Sequence, residues 1–438
     1  MNVKRWLAIP AAALVALAAA CGSGSPPSSA AAPVLRIGVD LPITGREARA
    51  AVPAWNGVRF FVQSHPMLDG FEVVLVSMDD AQGEGPSPDR GAANVQSFVA
   101  DSTVVAMIGP FDAAVARREI PVANAASLAM ISPATSSACL TRDVFLPAAL
   151  NPARTDIGCK AAGLPPATDL RPAHVNNFFR LTATDDLQGA AAADYVFAKL
   201  HLLRAAAISD HEAYGQGLAD AFAARFTNLG GTIVGRLDLN PAKPDAASFL
   251  AQVKADGAQA IYYGGATPGG GCAVRAQMKA VFPPGQATPF LGADGIAHDP
   301  ACVTAAGSNS VGMYATVPLV DASALPGAAA TIRDFKHSFG RTSDYGPYTM
   351  LAYDATAVLY SALNRAIQAA GGVRPDRPAV VAELARTAGV VGVTGTLGFD
   401  AAGDTTNRVL SVFEATATDP RSPWKLVDTV DYSARLPY

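Results

Sequence analysis

The stretch Leu128 to Ser137, Leu-Ala-Met-Ile-Ser-Pro-Ala-Thr-Ser-Ser, indicates how the chain folds around it. It begins as a short apolar run that favours a buried strand, and it breaks at Pro133 into small hydroxylated residues. In an open α/β sheet, ligands bind beyond the carboxyl ends of the strands. Backbone N–H groups and hydroxyls placed there suit a small anion. The same residues also fit an ordinary strand-to-helix connection with a Ser or Thr N-cap.

Strand-like and helix-like segments alternate on both sides of this stretch. The predicted strands are 34–40, 71–78, 104–108, 178–183, 204–209, 232–239, 260–263, 289–291 and 313–317, with closing strands at 394–399 and 408–415. Helices are predicted from about Pro53 to Val62, around the apolar face of Leu218, Phe222 and Phe226, and from Thr349 to Ala370. This alternation predicts βαβ units and a mostly parallel sheet. The length of 438 residues favours two lobes over one core.

Composition excludes some classes of function. The net charge is only −4 and there is no basic stripe, which argues against nucleic acid as a partner. After the N-terminal segment, no uninterrupted apolar run is long enough to span a membrane.

The N-terminus has the features of an export signal. Lys4 and Arg5 precede the apolar run 7–20, which ends at Cys21-Gly22. The pattern resembles a bacterial lipoprotein signal in which Cys21 is lipidated, although Ala18 stands where such signals usually have Leu. The alternative is a plain secretory peptide cut after an Ala-x-Ala-like site. We predict a lipoprotein signal over residues 1–21 and a Gly/Ser/Pro-rich tether over residues 22–33.

The remaining cysteines are even in number, which predicts two disulfides in an exported protein. They are Cys139, Cys159, Cys272 and Cys302. Three pairings are possible; Cys139–Cys159 and Cys272–Cys302 close the shortest loops and are the predicted pairs. Because neither pair has the CxxC spacing of a metal or redox site, we assign them a structural role only.

Signatures of catalysis and cofactor binding are weak. The sequence has no Gly-x-Ser-x-Gly elbow, phosphate loop or His-Glu-x-x-His motif. His211-Glu212 has no neighbouring Ser or Cys nucleophile, and Gly269-Gly270-Gly271 lacks the spacing of a dinucleotide loop. A hydrolase is therefore disfavoured, and no cofactor or metal is expected.

Several strand ends carry residues suited to ligand binding. Tyr214 opens a helix, where its ring could cover a ligand and present its hydroxyl, or could simply pack in the core. Asp294 follows a strand and could pair with an ammonium, or could form an ordinary Asp-Gly turn. Gly264-Gly265-Ala266-Thr267 ends another strand with little side chain, which would let a ligand approach the backbone.

The order of these motifs resembles the extracytoplasmic solute-binding proteins of branched-chain amino acid (leucine/isoleucine/valine) ABC transporters. The similar segments are Ile37-Gly38-Val39 through Gly45, Met107-Ile108-Gly109, Ile131-Ser132-Pro133-Ala134, Tyr214-Gly215-Gln216-Gly217, Ile261-Tyr262-Tyr263-Gly264-Gly265, Gly292-Ala293-Asp294-Gly295 and Ala352-Tyr353-Asp354-Ala355. The resemblance covers nearly all of the chain after the tether, and it rests on the order of individually weak motifs.

The resemblance implies a type I periplasmic-binding fold, an α/β clamshell of two doubly wound parallel-sheet lobes joined by hinge strands. Lobe 1 would comprise residues 34–179 and 318–395, and lobe 2 would comprise residues 180–317 and 396–438. The solute would bind in the cleft between the lobes.

The resemblance also implies roles for individual residues. The first lobe would hold a ligand carboxylate through Ala134, Thr135 and Ser136, while Asp294 would match the acidic anchor of the α-ammonium and Tyr214 the tyrosine that closes over the ligand. Ala113 stands where the family has a serine contact. Ala50 and Ala266 stand where pocket aromatics are common, which leaves room for a solute other than leucine.

The leading functional hypothesis is a monomeric, lipid-anchored receptor on the outer face of a bacterial cell membrane that supplies an ABC permease. It would bind an amino acid or a related small polar solute. The alternative is a ligand sensor of the same fold without a transport partner, which fold alone does not distinguish.

Overall fold

The computed structural model describes residues 32–150, 155–282, 288–341, 344–420 and 424–437. Cys21, the predicted signal and most of the tether lie outside these residues. The strands are β1 (Val34–Leu41), β2 (Met67–Leu68), β3 (Phe71–Asp79), β4 (Ala81–Gln82), β5 (Gly85–Pro86), β6 (Val104–Ile108), β7 (Ala129–Ser132), β8 (Val144–Leu146), β9 (Ile157–Gly158), β10 (Phe178–Arg180), β11 (Arg204–Ser209), β12 (Thr232–Asp238), β13 (Ala260–Gly264), β14 (Phe290–Gly292), β15 (Met313–Val317), β16 (Val390–Gly392), β17 (Gly395–Leu397), β18 (Val409–Glu414) and β19 (Lys425–Asp431). The α-helices are α1 (Ala48–Ser64), α2 (Pro88–Ala100), α3 (Ala113–Ala125), α4 (Asp185–Asp194), α5 (Ala213–Asn228), α6 (Ala247–Ala255), α7 (Gly271–Val281), α8 (Pro300–Ala306), α9 (Ala329–Ser338), α10 (Thr349–Ala369) and α11 (Arg377–Ala385).

The first sheet has the strand order β10-β7-β6-β1-β3-β2. All of its pairs are parallel except β2 with β3. Strand β6 is buried at all five of its residues, Val104 to Ile108, as a strand covered on both faces requires. The chain first adds β3 on one side of β1 and then adds β6 on the other side. The connections after β1 and β6 therefore leave the carboxyl edge in opposite directions, which creates the topological switch point where ligands bind in such folds.

The second sheet has the order β12-β11-β13-β14-β15-β18-β19. Its first five strands are parallel, and β18 and β19 join antiparallel at one end. Gly215 on α5 and Gly264 on β13 allow the helix to approach the sheet. A Cβ at Gly215 would lie 2.6 Å from the Gly264 carbonyl oxygen, and one at Gly264 would lie 2.2 Å from that of Gly215.

The chain segments between the two sheets are hydrogen-bonded to one another. The Arg180 amide donates to the Gly403 carbonyl at 3.0 Å, and the Ala183 amide donates to the Pro318 carbonyl at 2.9 Å. The end of β10 is therefore bonded to the segment before β18, and the segment after β10 is bonded to the segment after β15. These bonds form the hinge of a two-lobed clamshell, and the predicted fold class is confirmed.

Two predicted elements differ from the structure in their details. The helix predicted from Pro53 begins earlier, at Ala48, and contains Pro53 within it. The predicted strand at 394–399 is the short β17, which pairs with β16 in a separate ribbon. The turn of that ribbon is fixed by Asp354, whose carboxylate accepts hydrogen bonds from the amides of Val393 at 2.9 Å and Thr394 at 2.7 Å.

Both predicted disulfides are confirmed. Cys139 is bonded to Cys159, which fastens the excursion after β8 to the loop that follows β7. Cys272 on α7 is bonded to Cys302 on α8. Within the described ranges, no helix combines the length and apolarity needed to cross a membrane.

The contact between α1 and α10 yields a test of the packing. A Cβ at Gly57 would lie 2.1 Å from the Thr349 carbonyl oxygen, so Gly57→Ala must push the helices apart. We expect it to lower the free energy of unfolding by roughly 1–3 kcal/mol, measured by urea denaturation. Gly327→Ala is the control, because nothing lies within 4 Å of the added Cβ. Equal midpoints for the two variants would contradict the observed helix contact.

Candidate ligand-binding site

Asp294 lies at the centre of a polar cluster beyond the carboxyl end of β14. Its Oδ1 accepts hydrogen bonds from the Tyr214 hydroxyl at 2.6 Å and from Gln188 Nε2 at 2.8 Å. Its Oδ2 accepts one from the Tyr348 hydroxyl at 2.6 Å. The Gly295 amide also donates to the Tyr214 oxygen, at 3.3 Å. The structure thus brings together Asp294 and Tyr214, two of the predicted site residues that are far apart in sequence.

Tyr348 joins this cluster from the other lobe. It precedes α10, which packs on α1 beside the first sheet, and its ring stands edge-on to Phe111 with centroids 5.2 Å apart. Burial, followed by the charge of Asp294, raises the pKa of Tyr348 well above its usual value, and the same causes act on Tyr214. Both phenols therefore stay protonated and donate to Asp294, so the Tyr348 bond links the two lobes.

Asp185, the first residue of α4, adds a second carboxyl group to the cluster. Burial raises its pKa to about 7, an effect that a hydrogen bond with the Ser136 side chain opposes and the charge of Asp294 reinforces. Its Oδ1 has no hydrogen-bond partner among the described residues, and neither does the buried Oε1 of Gln188. Two acceptor atoms next to Asp294 thus lack a protein donor within the described part of the chain.

The loop after β7 is organised by the Ser132 hydroxyl. Ser132 Oγ donates to the Pro110 carbonyl at 2.8 Å and accepts from the amides of Ala134 at 3.2 Å and Thr135 at 2.9 Å. The Thr135 hydroxyl donates to the same oxygen at 2.9 Å. These amides, expected to face an anion, therefore form an internal turn. Ser136 differs, because its hydroxyl faces Asp185.

The buried guanidinium of Arg180 supports this loop from within the protein. Its Nη1 donates to the carbonyls of Ser137 at 2.7 Å and Thr135 at 3.3 Å, and its Nε contacts Asp404 Oδ1 at 2.7 Å. The Thr182 hydroxyl donates to the Thr135 carbonyl at 2.9 Å. The loop is therefore fixed to the hinge segments and not only to its own strand.

The three alanines that replace family side chains lie at different places. Ala113 is the first residue of α3 and follows the Asp112 cap. Ala266 lies against Gly295, where an added Cβ would be 2.8 Å from the Ala266 Cα, so it borders the Asp294 cluster. Ala50 lies in the first turn of α1. Its neighbour Arg49 reaches Asp299 of the second lobe at 3.6 Å.

Sequence reasoning missed three members of the cluster. Asp185 and Gln188 follow a predicted strand, and a polar pair at that point was the available signal. Tyr348 lies ahead of the long helix in Gly346-Pro347-Tyr348 and had no signal before the lobes were placed against each other.

The Tyr348 bond predicts an effect on lobe closure. Tyr348→Phe removes a hydrogen bond to a charged group, worth roughly 1.5–3 kcal/mol. We expect the ligand-free variant to populate more open conformations and to show a larger radius of gyration in small-angle X-ray scattering. Tyr345→Phe is the control, since the Tyr345 ring packs on Phe335. Indistinguishable scattering from all three proteins would show that the bond does not control closure.

The raised pKa of Asp185 predicts that the stability of the protein depends on pH. Its folded pKa of about 7 lies above the ordinary value of 3.8, so its stabilising contribution is complete at low pH and is lost as the pH rises through 7. In ligand-free protein, the difference in unfolding free energy between wild type and Asp185→Asn should change by up to about 1.4 kcal/mol per pH unit, and level off above the folded pKa. Urea unfolding from pH 5 to 8 measures it, and parallel curves would contradict the assigned burial.

Comparison with known proteins agrees with this geometry. A periplasmic binding protein family model matches residues 34–420. The Leu/Ile/Val-binding protein homolog 3 of Brucella melitensis is 27% identical over 94% of this chain and 97% of its own. The structure is similar to a leucine-binding protein LivK from Thermotoga maritima, with a TM-score of 0.69 and 23% identity over 91% of this chain and 99% of that one. It is also similar to a solute-binding protein of an ABC transporter from Rhodopseudomonas palustris HaA2 in complex with p-hydroxybenzoic acid, with a TM-score of 0.70 and 16% identity over 91% and 97%.

These matches concern solute-binding proteins and not enzymes, and the family is an extracytoplasmic one. The family match extends from the first strand almost to the end of the chain. The predicted relationship to the solute-binding proteins of branched-chain amino acid ABC transporters is confirmed, and the chain belongs to the periplasmic binding protein family.

Proposed function

We propose that this protein captures an amino acid or a closely related amine-bearing solute between its lobes for import by an ABC permease. The observation that carries the proposal is the group of acceptors around Asp294. Asp185 Oδ1 and Gln188 Oε1 are buried there and have no donor among the described residues. An ammonium group has three donors and a positive charge, which matches these acceptors and the neighbouring carboxylate.

The energetic argument favours a cationic group over an acid at this position. A buried acceptor left without a donor costs about 1–3 kcal/mol, so a ligand that supplies donors gains that amount in addition to its charge pairing. Tyr214 and Tyr348 already donate to Asp294, and they orient its carboxylate. A negatively charged group here would face Asp294 and Asp185 and would be repelled.

The acid group of the solute would face the first lobe. The amides of Ala134 and Thr135 are used within the loop, so the hydroxyl of Ser136 is the proposed hydrogen-bond donor to the acid group. Ala134 and Thr135 would line the binding cleft beside it. Ala113 would leave the acid group without one serine contact, and Ala50 and Ala266 would border the side chain of the solute. Small residues at both places suit a solute bulkier than leucine at that end.

The lobe boundaries remain a proposal, with residues 34–179 and 318–395 in lobe 1 and residues 180–317 and 396–438 in lobe 2. Sheet membership supports the first boundary, since β10 is the last strand of the first sheet and β11 begins the second, whereas the boundary between residues 395 and 396 falls inside β17. Hinge closure would bring Tyr348 onto Asp294 and present both lobes to a permease. Genes for a permease and an ATPase beside this one would distinguish an importer subunit from a sensor.

A binding experiment tests the proposed polarity. Leucine and the other amino acids, with p-hydroxybenzoate as an acid that lacks an amine, are screened by thermal shift and then by calorimetry. We expect an amine-bearing solute to bind. Asp294→Asn should weaken it at least about a hundredfold, because an ion pair is broken in a buried site. Ser136→Ala should weaken it less, by about 1.5–3 kcal/mol. Unchanged affinity in a folded Asp294→Asn protein would remove the ammonium site.

The lipid anchor is tested separately. We propose that Cys21 is acylated and holds the protein on the outer face of the membrane through the Gly/Ser/Pro tether. Cys21→Ala should move the protein from the membrane fraction to the soluble extracytoplasmic fraction and abolish labelling by a fatty acid analogue. Membrane retention and labelling that persist in the variant would favour a different anchor.

A further inference from the structure

A second group of carboxyl side chains lies inside the first lobe, apart from the Asp294 cluster. Asp40 is near the end of β1, Asp80 directly follows β3, and Glu119 projects from α3. Each of the three residues is 0% exposed. One carboxylate oxygen from each residue lies within 4.8 Å of one from each of the others.

This group has very few hydrogen-bond donors. Asn94 Nδ2 donates to Asp40 Oδ1 at 2.8 Å. In the described part of the chain, Asp40 Oδ2, both oxygens of Asp80 and both oxygens of Glu119 have no donor from outside the three carboxyl groups, although Asp40 and Glu119 lie close enough to share a proton. The nearby Arg90 turns away, because its Nε donates to the Asp79 carbonyl at 2.7 Å. Burial of unpaired carboxylates is unfavourable unless they take up protons or a cation accompanies them, and a cation can replace those protons.

Glu119 provides an observation independent of the two strand-end aspartates. It comes from a helix, is fully buried, and places one carboxylate oxygen within 4.8 Å of an oxygen of each aspartate, while neither of its oxygens has a donor from outside the three carboxyl groups. Gly91 on the facing helix α2 makes room for it. A Cβ at Gly91 would lie 2.7 Å from Glu119 Oε1. The packing of the two helices therefore accommodates this carboxyl group at the end of the strands.

The surroundings add further negative charge. Asp79, Asp112 and Glu47 are the other charged groups near Asp80, and all are acidic. Asp79 and Asp112 already accept hydrogen bonds from backbone amides, Asp79 from Ile43 and Asp112 from Ala114. Arg90 offsets part of this charge at Asp40, but the local field still favours a cation next to the five carboxylate oxygens that lack an outside donor.

We propose that Asp40, Asp80 and Glu119 form a divalent cation site, with Ca²⁺ as the preferred ion. An all-oxygen set selects hard cations, and the absence of His and Cys from the trio disfavours zinc and copper. Oxygens up to 4.8 Å apart can share one ion at the Ca²⁺–oxygen distance of about 2.4 Å. Three carboxylates can bind in one- or two-oxygen modes, which suits Ca²⁺, whereas Mg²⁺ requires a regular octahedron and retains water.

The cation would join three elements of one lobe. Strands β1 and β3 would be tied to α3 at the carboxyl edge of the sheet, next to the connection that begins at Pro42. Such a site would stabilise the lobe that holds the Ser136 loop without contacting the solute. It therefore makes a prediction that does not depend on the identity of the solute.

The test uses the purified protein after treatment with EGTA and desalting. Titration with CaCl₂ should raise the melting temperature saturably, by at least about 3 °C at a hundredfold excess over Kd, and calorimetry should give one ion per chain. MgCl₂ at equal ionic strength should give a smaller rise.

Matched variants test whether the Ca²⁺-induced rise in melting temperature comes from the three carboxyl groups. Glu119→Gln keeps the shape and removes a ligand charge, so we expect it to abolish the Ca²⁺ response, and Asp80→Asn serves if Glu119→Gln does not fold. Asp89→Asn on α2 is the control, because that carboxylate is exposed and pairs with Arg118. It should retain the full response.

Three outcomes would overturn the proposal. They are no Ca²⁺ response in the wild type, an equal response in the folded Glu119→Gln or Asp80→Asn protein, and a Mg²⁺ response as large as that of Ca²⁺. A thermal shift by leucine, recorded on the same samples, reports on solute binding separately, so failure of one proposal is distinguishable from failure of the other.

Discussion

The buried ion pair between Arg180 and Asp404 is the interaction on which the two-lobed structure depends. Arg180 is 0% exposed and lies at the end of the first sheet, while Asp404 belongs to a segment that returns near the end of the chain. Burial opposes ionisation of Asp404, yet the charges of Arg180 and Arg142 keep its pKa below its usual range. Loss of one partner of such a pair costs about 3–5 kcal/mol, because the other charge stays buried. The same guanidinium holds the carbonyls of Thr135 and Ser137. Hinge geometry and the loop of the candidate site are thus set by one side chain.

The sequence predicted much of the fold because buried parallel strands are short apolar runs between helices. The segments 34–40, 104–108 and 204–209 each became a strand close to those bounds. The predictions were less accurate where local composition was misleading. The sequence pattern predicts a helix from about Pro53, whereas α1 begins at Ala48 and contains the proline within it. At Gly395, a β-like run forms a ribbon because Asp354 binds the turn beside it, and that contact spans about forty residues that no local pattern connects.

The candidate site was predictable only in part, for a related reason. Asp294 and Tyr214 each follow a strand of the same sheet, so their proximity follows from strand order alone. Gln188 and Asp185 reach the cluster from α4, which packs on α5, whereas Tyr348 reaches it from the opposite lobe. The position of Tyr348 depends on how the lobes meet. Local structure also overturned one expectation. The amides of Ala134 and Thr135, which the sequence predicted to face an anion, donate to the Ser132 hydroxyl instead.

The carboxyl groups of Asp404 and Glu119, which are buried, and of Asp294, which is half-buried, meet three different environments, and the differences indicate different roles. Asp404 faces two arginines and is satisfied within the protein, so its role is structural. Asp294 is oriented by phenols and an amide but has no cationic partner of its own among the described residues, which suits a charge that arrives with a solute. The charge of Arg90 acts on Asp40, but Glu119 and its two aspartate neighbours accept few hydrogen bonds from the described residues, and they lie too deep for a solute to reach. A small cation satisfies that last environment with the fewest additional groups, because one ion contacts all three carboxyl groups at once.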